Sequence, residues 1–184
     1  MSYRKRDFPV HLVRRFLEPG PIVLVTSAYA GERNVMTLGW HVVLEFTPSL
    51  IGLMISSGNH SHRLVRRSGE CVVNIPEVLL LDTLVAVGNS SGADIDKFAA
   101  FALRTRKATQ VGAPLLTQCF ANLECRLVED RLVRDYSFFI FEVVKAHVAT
   151  APKYPETVHY TGDGVFMLSG QHVDKRAGFR PELL

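Results

Sequence analysis

Residues 121–127 read Ala121-Asn122-Leu123-Glu124-Cys125-Arg126-Leu127 and alternate apolar with polar side chains over their whole length. This two-residue period is typical of a β-strand that buries only one face. Residues 136–149 follow closely, are rich in aromatic and β-branched side chains, and predict a second, longer strand. The second half of the chain is therefore predicted to be β-structure.

The first half is predicted from the same periodicities. Residues 22–26 and 35–46 flank a turn-forming segment and predict a hairpin. Residues 50–55 are apolar on both faces, which indicates an interior strand, and residues 71–76 predict a further strand. Helical spacing predicts short helices over residues 9–17, 61–67, 78–87 and 94–101. Because strands and helices do not alternate regularly, the pattern favours an antiparallel barrel with a few short helices.

The size and composition indicate one globular domain spanning residues 1–184. The net charge of +3 arises from scattered basic residues, which argues against nucleic-acid binding. No apolar run is long enough to span a membrane, and the start of the chain lacks the apolar segment of a secretion signal. The three cysteines lie in apolar stretches and are expected to be free buried thiols. We therefore expect a soluble, cytoplasmic protein.

The first candidate ligand site is the segment 34–40, which contains the only tryptophan of the chain. Asn34 and Thr37 are polar residues on an otherwise apolar strand that ends at Trp40. A planar aromatic ligand would use the indole as a wall, while the strand backbone bonds its polar edge. The alternative is a tryptophan of the hydrophobic core beside a turn at Asn34.

The second candidate site is the hydroxyl-rich segment 56–63, which leads from a strand into a helix. The backbone N–H groups of a helix start, its dipole, the serine hydroxyls and Arg63 together suit a phosphate monoester. The alternative is an ordinary helix start capped by Asn59 or Ser61.

A third candidate is the small-residue loop 88–98, in which Lys97 falls in the first turns of a helix. A lysine is poorly placed there for the helix dipole, so a nearby anion would explain it. A salt bridge to Asp94 or a solvated lysine is the alternative. No Cys-x-x-Cys or His-x-x-x-His pair is present, so no metal site is predicted.

Taken in order, these segments resemble the flavin reductase-like family, which has the FMN-binding split barrel and includes flavoredoxins and the reductase components of two-component monooxygenases. The resemblance extends over nearly the whole chain. It is carried by residues 21–26, 34–40, 47–50, 59–61, 68–76, 91–92, 96–98, 113–116 and 121–125.

The resemblance implies an antiparallel Greek-key split β-barrel that holds FMN, rather than FAD, at a homodimer interface. It implies that Asn34, Met36, Thr37 and Trp40 border the isoalloxazine and ribityl chain. It further implies a phosphate contact from Ser56, Ser57, His60 and Ser61, a polar contact from Lys97, and an aromatic cover from Phe166. One departure is Tyr136, where many relatives of the flavoredoxin type carry a histidine.

The function implied is hydride transfer from NADH or NADPH to bound FMN. The flavin carries the chemistry, so no catalytic side chain is assigned. An electron-acceptor protein or a monooxygenase component is the expected partner. One alternative is an FMN electron carrier without NAD(P)H activity, and another is a haem-binding barrel with His60 or His62 as the axial ligand.

Overall fold

The computed structural model describes residues 3–13 and 20–180. Over these residues the chain is mainly β, and every strand pairing is antiparallel. The strands are β1 (Lys5–Phe8), β2 (Val23–Tyr29), β3 (Glu32–Leu38), β4 (His41–Glu45), β5 (Leu50–Met54), β6 (Glu70–Ile75), β7 (Thr105–Arg106), β8 (Leu115–Leu116), β9 (Ala121–Glu129), β10 (Phe138–Ala149), β11 (Val158–Gly162) and β12 (Val165–Leu168). The α-helices are α1 (His60–Ser68), α2 (Leu81–Gly88), α3 (Lys97–Ala100) and α4 (Val133–Tyr136).

The main sheet forms a barrel that is split along one seam. Its strand order is β3-β2-β6-β9-β10-β5-β4, and β1 pairs with the second half of β10. The two outermost strands, β3 and β4, are joined only by Gly39 and Trp40. Leu38 and His41 are three Cα–Cα steps apart, about 11 Å at most, so the two ends of the sheet must lie close together. The sheet therefore curls into a split antiparallel β-barrel, as predicted, with its seam between β3 and β4.

Two hydrophobic clusters hold the barrel and its helices together. The first fills the barrel and is built around side chains such as Val73, Phe139 and Phe141. The second lies outside β2 and β3, where Leu24 and Val35 pack against residues of α2 and α3. Because helices cover this part of the sheet, β2 and β3 bury side chains on both of their faces.

The expectation that residues 121–127 bury only one face is wrong. The first five residues of β9 are all buried, including the polar Asn122 and Glu124. The segment between β7 and β9 crosses the outer face of the barrel there and pairs with both side chains. Asn122 donates to the carbonyl oxygen of Leu116, and Glu124 accepts from the backbone N–H of Thr109. A covering loop thus buries the polar side of an alternating strand.

The prediction of one strand over residues 35–46 is also wrong. The hairpin of β2 with β3 is confirmed, but the chain leaves the sheet at Gly39 and Trp40 and resumes as β4. This second strand pairs with β5 on the far side of the seam. The interior position of β5 between β4 and β10 is confirmed.

The helices agree in part with the prediction. Helix α1 is confirmed and ends at Gly69, whose left-handed φ of 67° favours glycine. The helix predicted over residues 94–101 begins later, because the Asp96 side chain caps α3 by accepting from the N–H groups of Phe98 and Ala99. The predicted leading helix is a 3-10 turn at Val10–Leu12, and residues 14–19 lie outside the described residues.

Three smaller features complete the fold. The hairpin of β11 and β12 was not predicted and forms a separate two-stranded sheet. The three cysteines are free and buried, as expected. Within the described residues, no helix combines the length and hydrophobicity that a membrane crossing requires.

Candidate functional site

A cavity of about 540 Å³ opens where the barrel seam meets the flanking elements. One wall comes from the end of β3, the link to β4 and the end of β5. The others come from the start of α1, from α2 and from the β11–β12 hairpin. The lining residues are Ile22, Met36, Thr37, Leu38, Gly39, Trp40, Met54, Ser56, Asn59, Leu84, Val85, Gly88, Asn89, Tyr160, Gly164 and Phe166.

Trp40 presents its indole at the edge of this cavity. Its carbonyl oxygen accepts a hydrogen bond from the Met54 backbone N–H at 3.0 Å, which ties the seam to the end of β5. The side chain itself is 69% exposed. The alternative that Trp40 is a core residue is therefore wrong, and the indole is available as a wall for a planar ligand.

Thr37 connects the cavity wall to helix α2. Its hydroxyl donates to the carbonyl oxygen of Leu84 at 2.7 Å, and both residues line the cavity. Met36 lies beside it and is almost fully buried. The barrel strand and the helix are thus fixed to each other at the cavity surface.

Helix α1 begins at the cavity with no side-chain cap. Asn59 is the N-cap residue, but its side chain makes no capping hydrogen bond. Ser56 and Asn59 line the cavity, whereas Ser57 is exposed and does not. Asn59 therefore occupies the N-cap position, as the alternative predicts, but its side chain does not cap the helix. The first N–H groups of the helix, at the positive end of its dipole, have no side-chain acceptor among the residues that the structure describes.

Asn34 and Ser61 lie behind the cavity wall and bond to each other. Both side chains are buried, and Asn34 Nδ2 donates to Ser61 Oγ at 2.9 Å. The loop that follows α2 passes directly over this pair, since a Cβ atom added to Gly92 would lie 2.1 Å from Asn34 Oδ1. Any larger residue at that point would require the loop or the Asn34 side chain to move.

His60 is held by a carboxylate outside the cavity. Glu32, at the start of β3, accepts from His60 Nε2 and from the Arg63 guanidinium, each at 2.5 Å. The hydrogen bond from Arg63 is the main reason that the pKa of Glu32 lies below its ordinary value. The side chains of His60 and Arg63 both bond to this one carboxylate. The start of α1 therefore presents its backbone N–H groups to the cavity.

Lys97 is buried beneath the end of α2. It is only 4% exposed, and its ammonium donates to the carbonyl oxygen of Val87 at 2.9 Å. Val87 directly precedes Gly88 and Asn89, which line the cavity. Burial lowers the pKa of Lys97. The alternatives of an Asp94 salt bridge or a solvated lysine do not describe this environment.

The hairpin of β11 and β12 supplies an aromatic wall. Tyr160 and Phe166 are cross-strand partners, their ring centroids lie 5.1 Å apart, and both line the cavity. Phe166 was expected at the site, whereas Tyr160 was missed. No periodic signal marks Tyr160, because its place depends on how the hairpin docks against the barrel.

Exposed apolar residues lie along and beside β4. Trp40, Val42, Leu44 and Phe46 occupy alternate positions there, and the pairing of β4 with β5 is irregular between Val43 and Glu45. Their exposed fractions are 69%, 45%, 43% and 47%. We refer to these four residues as the β4 apolar row. It continues from the rim of the cavity along the edge strand of the split barrel.

Known proteins share both the sequence and the fold. The family model described as the flavin reductase like domain matches residues 14–167. An uncharacterized protein of Archaeoglobus fulgidus is 36% identical over 129 residues, which are 70% of this chain and 72% of that protein. The reductase component of a 4-nitrophenol 4-monooxygenase/4-nitrocatechol 2-monooxygenase of Rhodococcus opacus is 26% identical over 132 residues, covering 70% of this chain and 66% of that protein.

The fold agrees with a solved structure from the same group. The crystal structure of an FMN-binding domain of a flavin reductase-like enzyme from Shewanella baltica superimposes with a TM-score of 0.87 at 26% identity. The match covers 95% of this chain and 98% of that one. The cavity at the barrel seam lies within the region that the family model matches. The chain is therefore a member of the flavin reductase-like family of FMN-binding split barrels.

Proposed function

We propose that this protein binds FMN in the seam cavity and catalyses hydride transfer from NADH or NADPH to the flavin. The cavity itself is the observation that carries the proposal. Its volume of about 540 Å³ lies within the range of roughly 300–1,000 Å³ that is usual for ligand and cofactor sites. One side is mostly apolar and includes an exposed indole, and another offers an uncapped helix start.

The isoalloxazine is assigned to the apolar part of the cavity. Met36, Thr37 and Trp40 border the ring and the ribityl chain, and Phe166 covers the ring from the hairpin side. Asn34 acts from behind the wall, because its amide is bonded to Ser61. When bound, FMN supplies a ring system that accepts and passes on electrons.

The phosphate is assigned to the start of α1 and to the buried lysine. The uncapped N–H groups at His60 and Ser61 and the hydroxyls of Ser56 and Ser57 are donors suited to an anion. Lys97 has three donor hydrogens and one carbonyl partner among the described residues, so it retains donors for an oxygen-rich ligand. A buried ammonium without a carboxylate partner is costly, and an anionic group nearby offsets that cost.

The protein's own contribution to catalysis is positional. Among the described residues that line the cavity, none carries a charge at neutral pH. The apolar walls exclude water and hold two planar rings against each other, which raises the rate by proximity and orientation. No nucleophile or metal is required for this reaction.

We also propose that two copies of the chain pair through the β4 apolar row. Four exposed apolar side chains close together on and beside an edge strand form a surface that water solvates poorly, and a second copy would cover it. The row begins at Trp40, so this pairing would place the flavin site at the dimer interface. An electron-acceptor protein, such as a monooxygenase component, is the proposed partner of the reduced flavin. The free buried thiols suit the proposed cytoplasmic location.

The two histidines considered as axial haem ligands do not line the cavity. His60 is bonded to Glu32, and His62 packs edge-on against Phe139 with ring centroids 5.2 Å apart. Neither lines the cavity, and no histidine is found among its described lining residues. An FMN electron carrier without NAD(P)H activity would use the same flavin site, so an experiment must distinguish it from a reductase.

The test is spectroscopic and kinetic. The purified protein is mixed with FMN, and its absorbance spectrum and binding stoichiometry are measured. Stopped-flow reduction by NADH and NADPH is then followed under anaerobic conditions. One FMN per chain with fast bleaching supports the proposal, and bound FMN without bleaching supports the carrier. A protein that binds no FMN contradicts both.

A further inference from the structure

Tyr160 is the one ionisable side chain among the described residues that line the cavity. Its phenolic oxygen accepts a hydrogen bond from the Gly164 backbone N–H at 3.0 Å. The phenolic hydrogen has no acceptor within the described part of the chain. The cavity therefore contains a neutral hydrogen-bond donor that the fold itself does not use.

The position of this donor is fixed by the hairpin. The Tyr160 ring packs against Phe166 at an interplanar angle of 55°. The base of the hairpin is tied to the barrel, where the Ile22 N–H donates to the carbonyl oxygen of Val158 at 2.7 Å. His159 Nδ1 adds a bond to the carbonyl oxygen of Gly20 at 3.2 Å. These contacts hold the phenol at the cavity rather than leaving it on a free loop.

The turn at the tip of the hairpin also depends on this phenol. Gly162, Asp163 and Gly164 all have positive φ values, of 105°, 52° and 79°. The Gly164 N–H points back to the Tyr160 oxygen and uses one of its lone pairs. Tyr160 is 52% exposed, so its O–H group is left to donate to water or to a molecule bound in the cavity.

We propose that Tyr160 donates this hydrogen bond to the carbonyl oxygen of the second planar reactant, the carboxamide of the dihydronicotinamide. This inference rests on the proposed function and assigns the residue that orients the hydride donor. Most of the other lining side chains, including Leu38, Leu84 and Val85, are apolar and cannot orient a polar substituent. A phenol gives direction without adding charge to an uncharged cavity.

The test compares Tyr160→Phe with a matched control. Tyr160→Phe keeps the ring and its packing on Phe166 but removes the hydroxyl. Tyr154→Phe makes the same chemical change at a half-exposed tyrosine that stacks on His172 and does not line the cavity. Each FMN-loaded protein is titrated calorimetrically with NAD⁺ and with thionicotinamide adenine dinucleotide, whose sulfur is a weak acceptor. KM and kcat for the two reduced nucleotides are measured in parallel.

The wild type is expected to bind NAD⁺ more tightly than the thio analogue, and Tyr160→Phe is expected to lose most of this preference. Loss of one hydrogen bond predicts a Kd for NAD⁺, and a KM for NADH, that rise about 3- to 10-fold. Affinity for FMN and the rate of reduction by dithionite should not change. The Tyr154→Phe protein should match the wild type throughout.

Two results would overturn the inference. If Tyr160→Phe keeps the wild-type preference for the amide over the thioamide, the phenol does not contact that group, even if both affinities fall because the turn is weakened. Equal NAD⁺ affinities for Tyr160→Phe and the wild type would also exclude it. A wild type that binds no FMN, or whose FMN is not reduced by either nucleotide, rejects the proposed function instead.

Discussion

Lys97 donates a hydrogen bond to the carbonyl oxygen of Val87 at 2.9 Å, and this carbonyl is its one hydrogen-bond partner in the described part of the chain. Lys97 is almost fully buried and does not itself line the cavity, but its acceptor Val87 directly precedes Gly88 and Asn89, which do. Two of the three N–H donors of Lys97 have no partner among the described residues, and burial leaves little water to accept from them. This relationship links the fold to the proposed phosphate site.

Replacing Lys97 by methionine is expected to weaken FMN binding much more than riboflavin binding. Methionine preserves the buried hydrophobic stem but removes the charge. A hydrogen bond to a charged group contributes about 1.5–3 kcal/mol, which corresponds to a Kd for FMN that is ~10- to 150-fold higher. Flavin fluorescence titration measures both ligands. Lys145→Met, at an ion pair with Asp7, is the control, and equal losses for FMN and riboflavin would contradict the phosphate role.

Intrinsic fluorescence should report FMN binding directly. Trp40 is the only tryptophan of the chain and lies on the cavity rim, so bound FMN should quench most of the tryptophan emission. Loss of the aromatic contact in Trp40→Leu should raise the Kd for FMN about 3- to 10-fold. Tyr154→Leu serves as the control. Tryptophan emission that is unchanged at saturating FMN would place the flavin elsewhere.

Gly92→Ala is expected to disturb the loop that follows α2. The new Cβ would lie 2.1 Å from Asn34 Oδ1, so the loop or the Asn34 side chain must move. Overpacking of this kind typically costs about 1–3 kcal/mol, which urea denaturation can measure. Gly170→Ala is the control, because apart from its chain neighbours no atom of the described residues lies within 4 Å of the added Cβ.

A double-mutant cycle tests the cause of that loss. Shortening Asn34 to alanine removes the atoms that clash with the new Cβ, although it also leaves Ser61 without its partner. The free energy of unfolding that the Asn34→Ala/Gly92→Ala protein loses should therefore be smaller than the sum of the losses in the two single variants. Strictly additive losses would mean that the two residues do not meet as described.

The stability of the loop over β9 should depend on pH through Glu124. Burial alone would raise the pKa of this carboxyl, but hydrogen bonds from His147, Thr109 and Gln110 outweigh burial and hold the pKa below its ordinary value of 4.5. A group with a lowered folded pKa stabilises the fold above its unfolded pKa. This contribution is lost as the pH falls through the folded pKa.

Glu124→Gln should accordingly reduce the free energy of unfolding at pH 7 by about 1–3 kcal/mol. The difference in free energy of unfolding between Glu124→Gln and the wild type should become smaller as the pH is lowered below about 4. Urea denaturation at several pH values measures this difference. Glu129→Gln, which breaks an exposed pair with Arg131, is the control and should change stability much less. A Glu124→Gln deficit that stays constant from pH 7 to pH 3 would contradict this assignment.

A charge in the β4 apolar row should separate the proposed dimer. Leu44→Glu places a carboxylate in the middle of the row, and burying it against a second copy would be costly. Light scattering after size exclusion should show a dimer for the wild type and a monomer for the variant. Val128→Glu, at a half-exposed valine on β9, is the control. A monomeric wild type would reject the dimer without affecting the flavin cavity.

The sequence by itself determined the elements whose cause is local. Alternation and β-branched content located β2, β5, β6, β9 and β10, and helical spacing with Gly69 at its end located α1. Period and turn chemistry act over a few residues, so they can be recognised without knowledge of what lies opposite. The resemblance to the flavin reductase-like family came from short segments in a fixed order.

Only the tertiary structure decided which faces are covered and which side chains meet. It buried the polar residues Asn122 and Glu124 beneath a crossing loop and divided the predicted strand at Trp40. It also set Lys97 against the end of α2 and brought Tyr160 to the cavity. Each of these outcomes depends on contacts between segments far apart in the chain, and such contacts leave no periodic trace in the residues themselves.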